Sequence, residues 1–191
     1  MVEEARLEEV GSGLAPVSEG WFVVNARDAA WLTNDAFGAR CMFEADVPVL
    51  RKRPELEPHR FEQLGFRLHV LEPGKPHGLY HAESNQEDFL VLAGECLLVI
   101  DGQERRLRAW DFVHCPAWTE HVFVGAEEPC LILMIGARPD DAVVYPVSEV
   151  AARHGASVAR ETRSPAEAYV GLPDSVPGLP EGLPVPWRRP G

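Results

Sequence analysis

Residue types that bind divalent metals cluster in one short segment of this chain. Residues 74–94 read GKPHGLYHAESNQEDFLVLAG and contain His81, Glu83 and Glu87. Successive side chains of a strand point to opposite faces, so His81 and Glu83 share a face and can reach the same ion. Glu87 follows a turn, and His121 can join the group if an antiparallel barrel brings its strand to the same interior. The sequence therefore predicts a metal site with two imidazole nitrogens and two carboxylates.

The same four residues also have a plainer interpretation. Glu83 and Glu87 can be solvated carboxylates in a polar turn, and a single histidine in a strand is usually structural. Two acids and two histidines at matched spacing favour the metal. This ligand set suits one divalent ion per chain, with zinc, manganese and iron ranked close together and nickel behind them, because affinity alone does not select among these ions.

Short apolar runs in the sequence predict the strands that must position these residues. Runs separated by Gly, Pro and Asp at intervals of 8 to 12 residues are typical of an antiparallel sandwich or barrel. The predicted strands are WFVV at 21–24, CMFEA at 41–45, FRLHVLEP at 66–73, DFLVLAGECLLVI at 88–100, ERRLRAWDFVHCP at 104–116, HVFVGA at 121–126 and CLILMIGA at 130–137. The all-β class follows from this pattern.

The two ends of the chain differ from the barrel pattern. We predict that residues 1–19 form a short helix or a loose arm outside the core, that residues 20–138 form the barrel, and that residues 139–191 form a C-terminal extension. One short helix is expected within 147–156, with Ser148 as its N-cap. The last twenty residues are rich in proline and should run extended, either loose or docked through Trp187.

The segment at 74–94 resembles the first sequence motif of the cupin superfamily. That motif has two histidines one residue apart, an acidic residue four or five positions later and a glycine seven positions beyond it. His81, Glu87 and Gly94 match these positions, and Glu83 stands where the family has its second histidine. The resemblance implies a double-stranded β-helix, the jelly-roll barrel of cupins, and a metal held by His81, Glu83, Glu87 and His121.

A second segment resembles the second cupin motif. In PAWTEH, Pro116 and His121 hold the family positions, while Trp118 replaces the usual glycine. The Gly-Asp turn that normally precedes this motif is Trp110-Asp111 here. The two motifs and the strands between them cover residues 66–136. Because cupins commonly pair through their barrels, the resemblance also implies a homodimer.

Alternation along the strands predicts which side chains line the pocket. Counting from Glu87, Phe89 and Val91 should face inwards, and counting from His121, so should Phe123. Tyr80 flanks the first motif and is a candidate for the mouth, although plain packing is the commoner role of such a residue. The interior shows no cluster of Arg or Lys, so a neutral or phenolic molecule is expected in preference to a phosphorylated sugar.

Two further histidines require an interpretation. His114, in the run DFVHCP, can point into the barrel and act as an acid or base, or it can be a hydrogen-bonded core residue. His77 lies four residues before His81 and can be a rim residue or a substrate contact. The remaining histidines show no pattern of partners.

Charge and composition narrow the class of partner. The formal net charge is -12, with 30 acidic and 18 basic residues, so a nucleic acid or an anionic membrane surface would repel the chain. The four cysteines form no C-x-x-C motif and are predicted to be reduced core thiols. No secretory signal or membrane-length apolar run is present, which predicts a cytoplasmic protein.

Three functions remain open at this point. The first is a metal-dependent enzyme acting on a small organic substrate, such as an oxygenase, isomerase or lyase. The second is a non-catalytic small-molecule binding or sensing protein with a structural metal. The third is a metal-free barrel. Resemblance in fold does not choose among them.

Overall fold

The computed structural model describes residues 1–180, and these residues fold mainly into antiparallel strands. The strands are β1 (Leu7–Glu9), β2 (Leu14–Pro16), β3 (Leu32–Asn34), β4 (Gly38–Cys41), β5 (Leu64–Leu71), β6 (Ala82–Glu83), β7 (Glu87–Ala93), β8 (Glu95–Ile100), β9 (Gln103–Arg108), β10 (Phe112–Cys115), β11 (His121–Gly125), β12 (Cys130–Ala137), β13 (Val143–Val144) and β14 (Val176–Pro177). A 3₁₀ helix spans Val49–Lys52, and two short helices are α1 (Glu149–Ala152) and α2 (Pro165–Ala168).

Two sheets enclose the main core. The larger sheet has the strand order β10-β7-β12-β5-β4-β3-β14, and the smaller has the order β11-β8-β9. Between them pack Leu71, Phe89, Leu98, Phe123 and Ile132, all nearly or fully buried. Each of these side chains comes from a strand with apolar residues at every second position, which is the pattern that buries one face of a sheet. The all-β class predicted from the sequence is confirmed.

Tight turns fix the register of the central strands. Asp101 and Gly102 both have positive φ angles, 43° and 71°, as the two-residue turn between β8 and β9 requires. Gly94 has a φ of 77°, and a Cβ atom there would lie 2.6 Å from the Pro129 carbonyl oxygen. This close approach explains why glycine separates β7 from β8.

Three predictions for the N-terminal part are wrong. Within residues 1–19, β1 and β2 form a hairpin, not a helix or a loose arm, because Val10 and Ala15 are buried in a second apolar cluster. The run at 21–24 is not a strand, since its only bridge pairs Trp21 with Glu4. The run at 41–45 ends as a strand at Cys41, because Phe43 adopts a positive φ of 56° that interrupts the extended chain.

The C-terminal extension contains the helix expected at 147–156. The Ser148 hydroxyl accepts a hydrogen bond from the Ala151 N–H and so caps α1. The second helix, α2, was not predicted, although Ser164 caps it and Pro165 occupies its first turn. Further on, β14 pairs with β3, while the predicted anchor Trp187 lies outside the described residues. The boundaries at 19/20 and 138/139 stay predictions.

The cysteines match the expectation from the sequence. Cys41, Cys96, Cys115 and Cys130 are free and buried. Burial raises the pKa of the Cys41 and Cys115 thiols to about 12, which keeps both in the unreactive thiol form. In residues 1–180, no helix has the length and apolar character needed to cross a membrane.

Candidate metal centre

His81 and His121 are brought together by backbone pairing. The His81 N–H donates to the His121 carbonyl at 3.2 Å, and the His121 N–H donates to the His81 carbonyl at 2.9 Å. Residues paired in this way across antiparallel strands point their side chains to the same face. The two imidazole rings are 4.9 Å apart between centroids. The distant histidine of the sequence prediction therefore lies directly beside the first one.

Hydrogen bonds fix the tautomers of both rings. The Nδ1 of His81 lies 2.7 Å from the Leu79 carbonyl, and the Nδ1 of His121 lies 3.0 Å from the Thr119 carbonyl. A carbonyl oxygen can only accept, so each Nδ1 carries the proton. In the neutral rings the lone pair is then on Nε2, which is the arrangement found in metal-binding histidines.

The two glutamates stand against these free nitrogens. Glu83 Oε1 lies 3.7 Å from His81 Nε2, and Glu87 Oε2 lies 3.4 Å from His121 Nε2. Glu83 ends β6 and Glu87 begins β7, so the short turn between them delivers both carboxylates to one place. Ligand atoms of His81, Glu83 and Glu87 all lie within 4.8 Å of one another.

Burial sets the charge states of this group. Desolvation raises the pKa of Glu83 and of Glu87, and for Glu87 the neighbouring Glu83 charge adds to the effect. Desolvation lowers the pKa of His81 to about 3, and it also lowers the pKa of His121. The imidazoles are thus neutral, and the two carboxyl groups resist being ionised together; a cation between them would favour the ionised form of both.

One atom tests whether a metal fits. Nε2 of His121 is buried and has no hydrogen-bond partner among the described residues. An unsatisfied buried polar atom is costly unless something binds it. A divalent ion accepts this lone pair while its charge offsets the two carboxylates, so the four residues fit a metal.

His77 offers a different set of contacts. One ring nitrogen of His77 lies within 4.8 Å of ring nitrogens of His81 and His121, so distance alone permits a three-histidine group. However, the Phe123 N–H donates to Nδ1 of His77 at 3.0 Å, which uses that lone pair. The buried ring is neutral, since desolvation lowers its pKa well below the usual value, and its proton is then on Nε2. Neither nitrogen of His77 keeps a free lone pair for an ion.

A cavity of about 680 Å³ opens onto the centre. Of the four predicted pocket residues, Phe89 lines it together with His81, Glu83 and Glu87. Val91 and Phe123 belong to the core behind it, so their inward direction is as predicted but they do not line the cavity.

Tyr80 does not lie at the mouth. Its hydroxyl accepts from the Gly102 N–H at 3.1 Å, and its ring packs with Val99 and Val122 in a separate cluster. The prediction that Tyr80 lines the pocket is therefore wrong, and its ring is a packing residue. Alternation explains the change, because Tyr80 and His81 are neighbours and point in opposite directions.

His114 is not an acid or base of this site. Its side chain is 52% exposed, and its Nδ1 lies 2.7 Å from Asp88 Oδ1 on the neighbouring strand. It is not among the residues that line the cavity. His114 is thus neither a catalytic residue of the barrel nor a core histidine, because it points to the outer face of the sheet.

Sequence reasoning missed the basic residues of the cavity. Arg40 and Arg67 both line it, which corrects the expectation of an interior without cationic side chains. The signal was present in β5, where Arg67 stands two residues before the buried His69 and therefore on the same face. Arg40 is paired directly opposite His69 on β4.

Part of the chain matches one family model, and several solved structures are similar to it. Residues 67–136 match the family model described as "Cupin domain". No curated protein matches the chain. A sugar phosphate isomerase of a cupin superfamily, from Silicibacter pomeroyi, is 30% identical. The match has a TM-score of 0.39 and covers 44% of this chain and 62% of that chain. A polyketide cyclase from Streptomyces resistomycificus is 16% identical, with a TM-score of 0.48 over 63% of this chain and 82% of that chain.

A cupin protein from Bacteroides fragilis is also similar, at 21% identity and a TM-score of 0.39 over 41% of this chain and 69% of that chain. This chain spans less than two thirds of the length of the isomerase. With TM-scores this low, these likenesses do not select an activity.

Proposed function

Because this chain contains a cupin domain at residues 67–136, we propose that it is a mononuclear metal-binding protein that binds a small organic molecule in its barrel. His81, Glu83, Glu87 and His121 would hold one divalent ion, with zinc, manganese and iron as the candidates that suit their donor atoms. The observation that carries the proposal is the buried Nε2 of His121, which has no partner in residues 1–180 and lies 3.4 Å from Glu87.

The metal would supply Lewis acidity towards an oxygen atom of the bound molecule. The protein's own groups would orient that molecule and keep water away from it. Phe89 provides an apolar wall beside His121, with ring centroids 5.1 Å apart. His77 would present its Nε2–H as a hydrogen-bond donor near the ligands. An enzyme of the oxygenase, isomerase or lyase type is the form of this proposal that uses all of these groups.

The test is metal analysis of the purified protein. We expect roughly one ion per chain in the wild type, and a loss of most of it in His121→Gln and in Glu87→Gln, because each removes one of four ligands. His114→Gln is the matched control, since His114 lies on the outer face and the change should leave the metal content unaltered. A wild-type content below about a tenth of an ion per chain would contradict the proposal.

A second variant tests the role of Glu83. Glu83→His would create the ligand set usual in the resembling family, so the variant should fold and keep about one ion per chain. Complete loss of metal from a folded Glu83→His protein would show that position 83 is not a ligand. The homodimer that the resemblance implies stays a prediction, and a mass from light scattering tests it.

A further inference from the structure

We propose that Arg40 and Arg67 form a subsite for the anionic group of the small molecule that the cavity binds. This inference rests on the proposed function, because it places the rest of that molecule at the metal ligands. The anion is a carboxylate or a phosphate, since both present the oxygen geometry that a guanidinium recognises. The two arginines are distinct from the residues proposed to hold the ion.

The strand register places Arg67 on the cavity side of the larger sheet. Arg67 on β5 pairs with Met134 on β12, which in turn pairs with Phe89 on β7. Phe89 lines the cavity two residues from Glu87, so Arg67 faces the metal ligands across one intervening strand. Neighbouring strands are about 4.8 Å apart, so the backbone at Arg67 lies roughly 10 Å from that at Phe89. A small molecule can span this distance.

Arg40 lies on β4, the strand next to β5, and with Arg67 it forms a basic patch on the cavity side of the sheet. It is directly opposite His69, and His69 is two residues from Arg67 on the same face of β5. His69 does not neutralise either arginine, because its Nε2–H donates to the Phe37 carbonyl at 2.7 Å and its ring is buried and uncharged. The patch therefore carries two guanidinium groups around a neutral imidazole.

Neither arginine forms an ion pair with a carboxylate in the described part of the chain. Arg138, which lines the same cavity, differs because it binds both oxygens of Glu44, at 2.6 and 3.0 Å. Burial and, after it, the like charge of Arg67 lower the pKa of Arg40 to about 10. Asp46 acts on Arg40 only at longer range, and Arg40 Nε is buried without a partner.

Acidic side chains also line the cavity, but none of them pairs with Arg40 or Arg67. Glu62, Asp140 and Asp141 belong to the lining, and the charge of Arg67 acts on Glu83 and Glu87 only from beyond ion-pair distance. A bound oxyanion would give these two partly buried cations the charge-assisted hydrogen bonds that no carboxylate of the described residues provides. For this reason an anionic molecule fits better than the neutral one expected from the sequence.

The backbone leaves room for such a molecule. Gly65 on β5 is directly opposite Gly136 on β12, and Gly136 is directly opposite Glu87 on β7. The guanidinium of Arg138 lies over Gly65, where a Cβ atom would come within 2.6 Å of its Nη2, but at Gly136 a Cβ atom would meet only the Glu87 side chain, at 3.8 Å. Arg40 and Arg67 line the same cavity of about 680 Å³ as His81, Glu83 and Glu87.

Isothermal titration calorimetry on the full chain as purified, with any metal it holds left in place, tests the subsite. The probes are inorganic phosphate and malonate, with glycerol as the neutral probe. We expect saturable binding of at least one anion and none of glycerol. Arg67→Gln and Arg40→Gln should each weaken anion binding by about tenfold or more, the loss of one charge-assisted contact. The stronger probe then identifies the anion as phosphate or carboxylate.

The matched control is Arg105→Gln. Arg105 is exposed on β9 and contacts Gln103, so its substitution removes the same charge without changing the cavity. This variant should bind the anion as the wild type does. Absence of saturable binding of both anions, or equal affinities in the Arg67 and Arg105 variants, would overturn the subsite.

Metal content separates this inference from the proposed function. Arg67→Gln should keep the wild-type metal level, since Arg67 is not a ligand, and this also reports that the variant is folded. If the wild type holds metal but binds neither anion, the subsite is wrong and the metal proposal stands. If it binds an anion through Arg67 but holds no metal, the subsite stands and the metal proposal is wrong.

Discussion

At the scale of single residues, distances alone permit two ligand sets, one with three histidines and one with His81 and the two glutamates. The position of the proton on the His77 ring distinguishes them. His77 comes as close to His81 and His121 as a ligand would, but its Nδ1 accepts the Phe123 N–H. His121 instead donates from Nδ1 and leaves Nε2 free. Hydrogen bonding to the backbone, and not proximity, thus distinguishes the histidines that would bind the proposed ion.

We predict that His77→Gln keeps the metal. Its affinity for zinc should fall by less than about tenfold, because His77 supports the site only by packing, whereas His121→Gln should lose about a hundredfold or more as a ligand is removed. Competition with a fluorescent zinc chelator measures both affinities. An equal loss in the two variants would show that His77, His81 and His121 form the ligand set.

At the scale of elements, two turns have a residue with a positive φ angle that is not glycine. Trp110 and Trp118 stand where the resembling motif has glycine, and their φ angles are 76° and 67°. An L-residue in this region is strained by about 1–2 kcal/mol. Trp110 is 75% exposed, so its side chain contributes little packing to offset the strain.

We predict that Trp110→Gly raises the free energy of unfolding by about 1 kcal/mol, because glycine relieves the strain at positive φ. Trp110→Ala is the matched control, since it removes the same indole ring but keeps a Cβ atom. Urea denaturation measures both variants. Equal stability of the Gly and Ala variants would show that the turn is not strained.

A buried ion pair joins two other segments. The Glu44 carboxylate, which follows β4, is fully buried and binds Arg138, which follows β12, through both oxygens. The Phe61 N–H also donates to Glu44, and the Arg138 guanidinium donates to the Phe61 carbonyl. Three segments far apart in sequence therefore meet at one carboxylate beside the cavity.

We predict that Arg138→Met lowers the free energy of unfolding by about 3–5 kcal/mol, because it leaves the Glu44 carboxylate buried without a cation. The double variant with Glu44→Leu should recover a large part of this loss, since no unpaired charge remains. Urea denaturation of the single and double variants gives both values. A loss below about 1 kcal/mol in Arg138→Met would mean that water replaces the guanidinium.

These elements also show what a sequence can and cannot reveal. The strands β5 and β7 to β12 fall largely within the predicted runs, which were recognised because apolar residues recur in them and because they end at glycine, proline or aspartate. The N-terminal hairpin was not, because an acidic segment with few apolar residues resembles a loose arm although Val10 and Ala15 are buried. Its burial depends on contacts with residues 30–50, which local patterns do not contain.

The proposed metal ligands could be found from the sequence because they are close together in it. Three of them lie within seven residues, and their spacing carries the information. Arg40 and Arg67 have no such spacing, because the sheet brings them together through the pairing of β4 with β5. The tautomer of His77 depends on a bond to β11 and could be known only from the structure.

At the scale of the whole molecule, the proposed ion would join both sheets. His121 begins β11 of the smaller sheet, and Glu87 begins β7 of the larger one. His81 and Glu83 come from the connection between β5 and β7. Because these segments separate on unfolding, an ion held by all of them binds the folded chain and stabilises it.

We therefore predict that the melting temperature depends on metal. At a free metal concentration of about a hundred times the dissociation constant, binding stabilises the fold by about 2.7 kcal/mol. For a chain of this size that corresponds to a rise of roughly 5–11 °C over the chelated protein. Calorimetry with and without chelator measures the shift, and His121→Gln should abolish most of it. An equal shift in that variant would place the stabilising ion elsewhere in the molecule.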